Sequence, residues 1–497
     1  MMVDGRRSVT MILTATILAA TAVAGLTAVS GPGGVLAETR AAAAPRAAAP
    51  SGTWGIAREV PGAAALNQGG HAQVNSVSCS SPGNCSAGGW YTDRSRRTQA
   101  FIVSEVKGTW HTAIEVPGTA ALNKAFAQVN SVSCASAGNC SGGGYYVNNG
   151  YQAFVVGEVN GVWHKAIEVP GSAALNTGRY AGLTSVSCGS PGNCTAGGYY
   201  LGNSTSYQPF VVSEVNGTWH NAFRVPGIVS RPANGHVGPT ARVGSVSCAS
   251  AGNCSIGGSY YDASHIQAFV ANKVNGIWRK AVKVPGTAAL NKGDAQVNSV
   301  SCASPGNCSA GGSYTDRVGH EQLMVISEVK GTWHNAFEVP GSAALNKGDY
   351  AQVSSVSCAS AGNCSAGGWY MGSSSLDDPL VVSEVNGTWH NAIRVPGITA
   401  LTRHIFGTVL SVSCRSAGNC SAGGWYTDSS DLVQPFVVSE VNGTWHNAVK
   451  VPGIATLNRG GDAQVSSVSC GSAGNCSALG SYTDRSKRYQ VFVVSKA

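Results

Sequence analysis

The sequence predicts an all-β chain, an eight-bladed β-propeller of four-stranded antiparallel blades, and three observations predict it. First, everything from Ser51 onward is built from eight copies of one unit. Tryptophan in a Gly-x-Trp context stands at Trp54, Trp110, Trp163, Trp219, Trp278, Trp333, Trp389 and Trp445, each followed seven residues later by proline, from Pro61 to Pro452. Second, each copy breaks into short valine-rich runs bounded by Gly, Pro and Asn, which read as strands and turns. One such unit cannot bury both faces of its sheet, so copies must stack, and radial stacking gives a propeller. Third, the ends are permuted. The repeats begin with a lone last strand, Gly52 to Val60, and finish with a third strand that lacks its Gly-x-Trp partner, so the two halves complete one blade and close the ring.

Strand a, Gln128 to Cys134 in the second copy, alternates valine with Ser and Asn, the period of a half-buried strand. Its small residues suit the crowded channel. Strand b starts at Cys140 and carries Gly143-Gly144-Tyr145-Tyr146, where glycine allows neighbouring backbones to approach closely. Strand c runs from Ala153 to Val159. Asn160-Gly161 closes a tight hairpin into strand d, Trp163 to Val169, which Pro170-Gly171 ends. Recurrence in every copy assigns the eight Gly-x-Trp tryptophans to packing between blades. Trp90, Trp369 and Trp425, on strand b, are less uniform, and core and binding roles both stay open for them.

All sixteen cysteines fall in Cys-x5-Cys pairs: Cys79 with Cys85, Cys134 with Cys140, Cys188 with Cys194, Cys248 with Cys254, Cys302 with Cys308, Cys358 with Cys364, Cys414 with Cys420 and Cys470 with Cys476. Each pair brackets the turn between strands a and b, so a disulfide across every hairpin, local to its own blade, is expected in an exported protein. Zinc needs four converging ligands, which pairs spread round a ring do not supply. Asn-Cys-Ser beside the second cysteine formally matches a glycosylation sequon, but lies in a tight hairpin.

Residues 1–37 read as a signal peptide: Arg6 and Arg7, an uncharged apolar stretch from Val9 to Val29, then Val35-Leu36-Ala37 as a cleavage site. General secretory and twin-arginine export both fit. The apolar stretch is also long enough to span a bilayer, which makes an uncleaved anchor on a structural or adhesive surface protein the alternative. Residues 38–51 form an Ala/Pro-rich flexible linker, and 52–497 the propeller.

At this point the repeat resembles the Kelch, or galactose-oxidase-like, propeller repeat, as in Gly88-Gly89-Trp90-Tyr91 followed by Trp110, over residues 52 to 497. The last copy departs from it, with Leu479-Gly480. Ser104 to Trp110 is weakly similar to an Asp-box but lacks the aspartate and is one residue short. The resemblance to secreted bacterial propeller proteins implies a fold and a compartment, not an activity. Galactose-oxidase-like copper chemistry would need a free cysteine, and all sixteen belong to the repeat. No cofactor or metal is expected.

Charged residues make up 11% of the chain and the net charge is +8, too dilute for a dedicated nucleic-acid binder. His111, His164, His220, His334, His390 and His446 follow the strand d tryptophans on separate strands and cannot share a metal. Variation is confined to the b-to-c and d-to-a loops, which antiparallel geometry puts on one face. There the first and last blades bring Arg94, Arg96 and Arg97 beside Arg485, Lys487 and Arg488, a candidate patch for an anionic ligand. Lys273, Arg279, Lys280 and Lys283 form a second basic cluster. The expected function is a secreted, noncatalytic monomer that binds a carbohydrate, cell-wall polymer or protein through the variable face. A hydrolase or lyase acting on polysaccharide at the channel mouth is the alternative, to be favoured by clustered carboxylates of raised pKa there.

Overall fold

The computed structural model describes residues 52–202, 206–231, 240–373, 376–402 and 406–497; the expected signal peptide and linker lie outside them. Eight antiparallel sheets, each in the order a-b-c-d, form the ring. Strand a opens blades 1 to 8 at Ala72, Ala127, Ala181, Arg242, Ala295, Ala351, Gly407 and Ala463. In blade 1, strand a is Ala72–Ser81, b is Asn84–Thr92 and c is Thr98–Val106.

Strand d differs from expectation. It is two short pieces, Thr109–Trp110 and Ile114–Glu115, both paired with strand c. The residues between them leave the ladder because Ala113 donates its N–H to the Pro61 carbonyl at 2.8 Å, across the junction with the preceding blade. The same bond joins Ala166 to Pro117, Ala222 to Pro170, Ala281 to Pro226, Ala336 to Pro285, Ala392 to Pro340 and Ala448 to Pro396. The recurrent proline therefore supplies an interblade acceptor as well as a strand stop. The connection to the next blade contains one helical turn, such as Thr119–Leu122, entered through Gly118 at φ 86°. Asn123 at its end donates to Gln99 Oε1 at 2.8 Å and to the Thr98 carbonyl at 2.9 Å of the preceding blade.

The inner strands hold the ring by side chain to backbone bonds. Ser76 and Ser78 accept from the N–H groups of Val132 and Cys134 in the next blade, at 3.0 and 2.9 Å. The pair of bonds recurs at all eight junctions, and the last blade returns to the first: Ser467 and Ser469 accept from Val77 and Cys79 at 3.1 and 2.9 Å. The glycine pair makes room for this approach. A Cβ on Gly88 would meet Val129 of blade 2 at 2.6 Å, and one on Gly89 would sit 1.9 Å from the Gln73 carbonyl. In blade 8 Leu479 replaces the first glycine and is itself buried in the cluster that spans the seam to blade 1.

Ring closure follows the permuted ends. Arg58–Glu59 pairs with Val493 and Phe492, Trp54 bridges to Lys496, and Ala57 donates to the Pro452 carbonyl at 2.8 Å. Glu59 accepts from Tyr482 Oη at 2.9 Å, as Glu168 does from Tyr146 within blade 2 at 2.8 Å.

All eight expected disulfides are present and no cysteine is free: Cys79 is bonded to Cys85, Cys134 to Cys140, Cys188 to Cys194, Cys248 to Cys254, Cys302 to Cys308, Cys358 to Cys364, Cys414 to Cys420 and Cys470 to Cys476. Their setting corrects the expectation in one respect. The second cysteine does not open strand b but is its second residue, because strand a runs two residues past the first cysteine and Ser81 pairs with Asn84, leaving a two-residue turn. Each bridge closes its own hairpin, as expected, and is also packed across the junction between blades. The second sulfur is buried against a hydroxyl of the preceding blade: Cys85 Sγ lies 3.7 Å from Ser477 Oγ, Cys140 3.5 Å from Ser86, Cys194 3.3 Å from Ser141 and Cys254 3.4 Å from Thr195. Cys308, Cys364 and Cys420 lie 3.3 Å from Ser255, Ser309 and Ser365, and Cys476 lies 3.4 Å from Ser421. Blade stacking, which spacing along the chain does not record, puts those hydroxyls there.

Cys414, Cys420 and Glu440 come within 4.8 Å of one another, but the two sulfurs are bonded to each other and so are not metal ligands. The sequon asparagine is occupied structurally: Asn84 donates to Ser81 Oγ and the Pro82 carbonyl and accepts from the Lys107 N–H, tying the a-to-b turn to the c-to-d turn. The strand d tryptophans do pack between blades. Trp163 Nε1 donates to Ser104 Oγ at 3.0 Å, and Trp445 Nε1 to Ser383 Oγ at 3.0 Å.

Opposite the second cysteine of each pair stands a buried charge on strand c: Glu105, Glu158, Glu214, Glu328, Glu384 and Glu440, with Lys273 and Lys496 in the other two blades. Lys273 is thus not part of a surface cluster. It donates to Ser213 Oγ at 2.7 Å in the interior, while Arg279, Lys280 and Lys283 are exposed. Burial raises the pKa of all six glutamates, against hydrogen bonds from serines of the preceding blade.

Deleting residues 52–60 leaves the outer edge of Val491 to Val494 unpaired and is expected to lower the melting temperature sharply; an unchanged melting curve would refute ring closure. The buried glutamates set a pH dependence. Their folded pKa values lie above the unfolded ones, so the folded state holds more protons and stability falls as pH rises above 4.5. Thermal melts from about pH 5 to pH 7 should show this decline, and the combined Glu158→Gln, Glu384→Gln and Glu440→Gln variant should flatten it.

Candidate functional site

The two faces differ as the spacing of variation requires. On one, the a-to-b and c-to-d turns are locked together, Gly108 N–H to the Gly83 carbonyl at 2.8 Å. On the other, the b-to-c and d-to-a loops meet: Gly69 N–H donates to the Thr92 carbonyl and Thr92 N–H to the His71 carbonyl, each at 2.8 Å. The residues predicted to bind lie on this second face.

The two basic loops flank the segment Asn67 to His71 at the closure seam. A Cβ on Gly69 would lie 2.7 Å from the Asp93 carbonyl of blade 1, and one on Gly70 would lie 3.1 Å from Arg488 Cγ of blade 8. Arg94, Arg96, Arg97, Arg485, Lys487 and Arg488 are all exposed. Each loop is shaped by an aspartate. Asp93 accepts from the Arg97 N–H at 2.9 Å and Asp484 from the Arg488 N–H at 3.0 Å. Burial opposes the Asp93 charge, but bonds from Gln99 and the backbone of Arg97 and Ser95 hold its pKa below the usual carboxylate value. Asp93 and Asp484 thus offset part of the charge of the six cations.

Between the loops and the channel lies a cavity of about 210 Å³ lined by His71, Gln73, Trp90, Asp462, Ser481 and Tyr489 among others. His71 stacks on Tyr489 with centroids 5.6 Å apart, and Tyr489 Oη donates to Asp462 at 2.7 Å, which pushes the phenol pKa up to about 12.

Trp90 also begins a run of rings that crosses three blades. Phe126 follows at 6.2 Å, then Tyr145 at 5.6 Å with the rings nearly parallel, Tyr151 at 5.4 Å and Tyr180 at 4.3 Å. Tyr199 and Tyr207 lie 6.2 and 5.6 Å from Tyr180. All seven are half-buried, each with part of its surface open. Trp90, Tyr145 and Tyr199 share one position on strand b, where the side chain points away from the buried tyrosine beside it. Phe126 and Tyr180 immediately precede strand a. Burial and neighbouring phenols keep Tyr145, Tyr180, Tyr199 and Tyr207 above the usual tyrosine pKa, so these rings stay neutral.

The other two predicted tryptophans are not in this tract. Trp369 is half-buried in blade 6, and Trp425 is buried in blade 7 edge-on to Phe406 at 5.1 Å. Sequence reasoning singled out Trp90 but not the partnership of Phe126, Tyr151, Tyr180 and Tyr207. The available signal was an aromatic residue just before strand a in these copies, where Asp294 and Asp462 stand in others.

Blades 5 and 6 carry carboxylates on the same face. Glu321 is raised by burial and by Asp294, against a hydrogen bond from Ser313; Asp377 is raised to about 6 by burial and by Asp378, which is itself paired to Arg394 at 2.7 Å. His320 Nε2 lies 3.0 Å from Asp349.

No protein-family model and no curated protein matches the chain. Among solved structures it is similar to Sqt1 from Chaetomium thermophilum, at 11% identity over 89% of this chain and 100% of that one, TM-score 0.48. It is also similar to a Hadza microbial sialidase, Hz136, at 12% identity over 70% and 73% (TM-score 0.35), and to the fucose-specific lectin of Aleuria aurantia, at 10% over 65% and 95% (TM-score 0.33). These likenesses carry no information on ligand, and the Kelch resemblance stays at the level of the propeller architecture. Eight disulfides fit an oxidising compartment, and no helix among the described residues is long and apolar enough to cross a membrane.

Proposed function

We propose that the chain is exported, loses residues 1–37, and acts as a monomeric, noncatalytic propeller (52–497) on an Ala/Pro-rich linker (38–51), binding a carbohydrate such as a bacterial cell-wall polymer on its variable face. The observation that carries this reading is the ring tract from Trp90 to Tyr207. Half-buried rings in a row offer apolar surface to the C–H groups of sugars, while their hydroxyls meet sugar hydroxyls. The tract is neutral and the basic loops lie at its Trp90 end, so the neutral backbone of a glycan would lie along the rings and an anionic substituent would meet Arg94, Arg96, Arg97, Arg485, Lys487 and Arg488.

The test is binding of residues 38–497 to an array of glycans and cell-wall polymers at low and high salt. Hits that resist salt and weaken roughly tenfold in the Tyr151→Ala, Tyr180→Ala double variant are expected, each ring contact being worth about 0.5–1.5 kcal/mol. Salt-sensitive hits lost on replacing the six cations by Ala would place an anion at the loops. A silent array, with hits only among proteins, would overturn the carbohydrate reading.

The raised pKa of Glu321 beside Asp294 favours a second reading, a polysaccharide hydrolase or lyase with Glu321 as general acid. In that case the protein releases new reducing or unsaturated ends from a bound polymer, and Glu321→Gln abolishes release while retaining binding. No product from any bound polymer would dismiss it.

A further inference from the structure

On the opposite, hairpin face the junctions are not uniform: the indole Nε1 of Trp54, Trp110 and Trp278 is buried without a hydrogen-bond partner although a serine stands on strand c of the preceding blade. At four junctions a single strand c side chain joins the indole of the next blade to that blade's buried glutamate. Ser383 Oγ, for example, accepts from Trp445 Nε1 at 3.0 Å and donates to Glu440 Oε1 at 2.7 Å. Ser104 does the same for Trp163 and Glu158, Ser327 for Trp389 and Glu384, and the amide of Asn272 for Trp333 and Glu328. Between blades 2 and 3 the equivalent residue is Gly157. Glu214, only 7% exposed, keeps the bond from Ser141 to Oε2 at 3.1 Å, and neither its Oε1 nor Trp219 Nε1 has a hydrogen-bond partner among the described residues. Here a cavity of about 390 Å³ opens, lined by Gly157, Glu158, Glu214, Trp219, His164 and Lys165 among others. The corresponding cavities are smaller where a side chain stands at this position, about 220 Å³ at the junction of blades 4 and 5 beside Asn272 and about 10 Å³ at that of blades 7 and 8 beside Ser439.

We propose that this cavity is a binding site for one sugar residue or a similar polyol, whose hydroxyl takes the place of the absent serine Oγ, accepting from Trp219 Nε1 and donating to Glu214 Oε1. Of the common ligand groups, a hydroxyl supplies both functions from one atom, as Ser104, Ser327 and Ser383 do at three other junctions. The indole and the disulfide-lined wall provide apolar surface, the volume falls in the range of small-ligand pockets, and exposed His164 and Lys165 add donors at the mouth. The site is independent of the variable face.

The experiment follows the indole N–H resonance of Trp219, assigned with Trp219→Phe, in the mature chain titrated with glucose, galactose, mannose, N-acetylglucosamine and glycerol. At least one should shift it saturably. Gly157→Ser introduces the hydroxyl that Ser104, Ser327 and Ser383 supply elsewhere, and a Cβ there meets nothing within 4 Å, so this variant should fold normally and bind at least tenfold more weakly. The Tyr151→Ala, Tyr180→Ala variant should bind at this site unchanged, which separates it from the variable face. No response from Trp219 to any of the five compounds, or binding unaffected by Gly157→Ser, would overturn the proposal.

Discussion

The ring rests on the serine hydroxyls of the inner strands. Each Ser-Val-Ser-Cys run accepts hydrogen bonds from the backbone of the next copy, so the inner strand N–H groups that the sheet leaves unpaired are satisfied by a neighbouring blade rather than by water. A bond between consecutive copies must be satisfied eight times over, including from Ser467 and Ser469 back to Val77 and Cys79. That requirement explains the uniformity of the repeat. Serine is needed for its length and hydroxyl, the glycines for close approach, and proline for a carbonyl within reach of the alanine that breaks strand d.

Uniform junctions leave one face rigid and nearly invariant. The disulfides, the Asn84 clamp and the turn-to-turn bonds all lie there. The opposite face is free to vary because its loops are anchored at both ends by the blade, and it holds nearly all the chemistry that distinguishes one copy from another: ring tract, basic loops and carboxylates. Binding in this protein is therefore organised by departures from an eightfold scaffold. The same logic applies inside the junctions. Glutamate becomes Lys273 or Lys496 where the neighbouring serine oxygen can accept, and serine becomes Gly157 where a cavity opens.

Buried carboxylates held by serines run against the usual expectation that buried charge is paired with opposite charge. Here the serine donors and the raised pKa share the cost. Glu158, Glu384 and Glu440 each receive two serine hydroxyls, while Glu214 receives one. The array separates interior from solvent beneath the hairpin face and fixes the strand d tryptophan against the preceding blade.

The architecture was legible in the residues because a propeller is periodic. Eight tryptophans, eight cysteine pairs and a lone terminal strand are one-dimensional facts that leave few closed arrangements, and the face on which variation falls follows from strand alternation alone. The interruption of strand d was not legible, since it depends on a proline carbonyl contributed by the preceding blade. The disulfide partners could be read from spacing, but not the hydroxyls of the preceding blade against Cys85, Cys254, Cys308, Cys364 and Cys476. Nor was the partnership of Trp90, Phe126, Tyr145, Tyr151 and Tyr180, which come from strands b and c and from the residue before strand a of successive copies and meet only when blades stack. Gly157 looks like an ordinary substitution of serine until Trp219 and Glu214, 62 and 57 residues away in the chain, are placed on either side of it. Repetition is recorded along the chain and so determines the ring; a site made of contacts between copies exists only once the twist and spacing of the blades have brought those copies together.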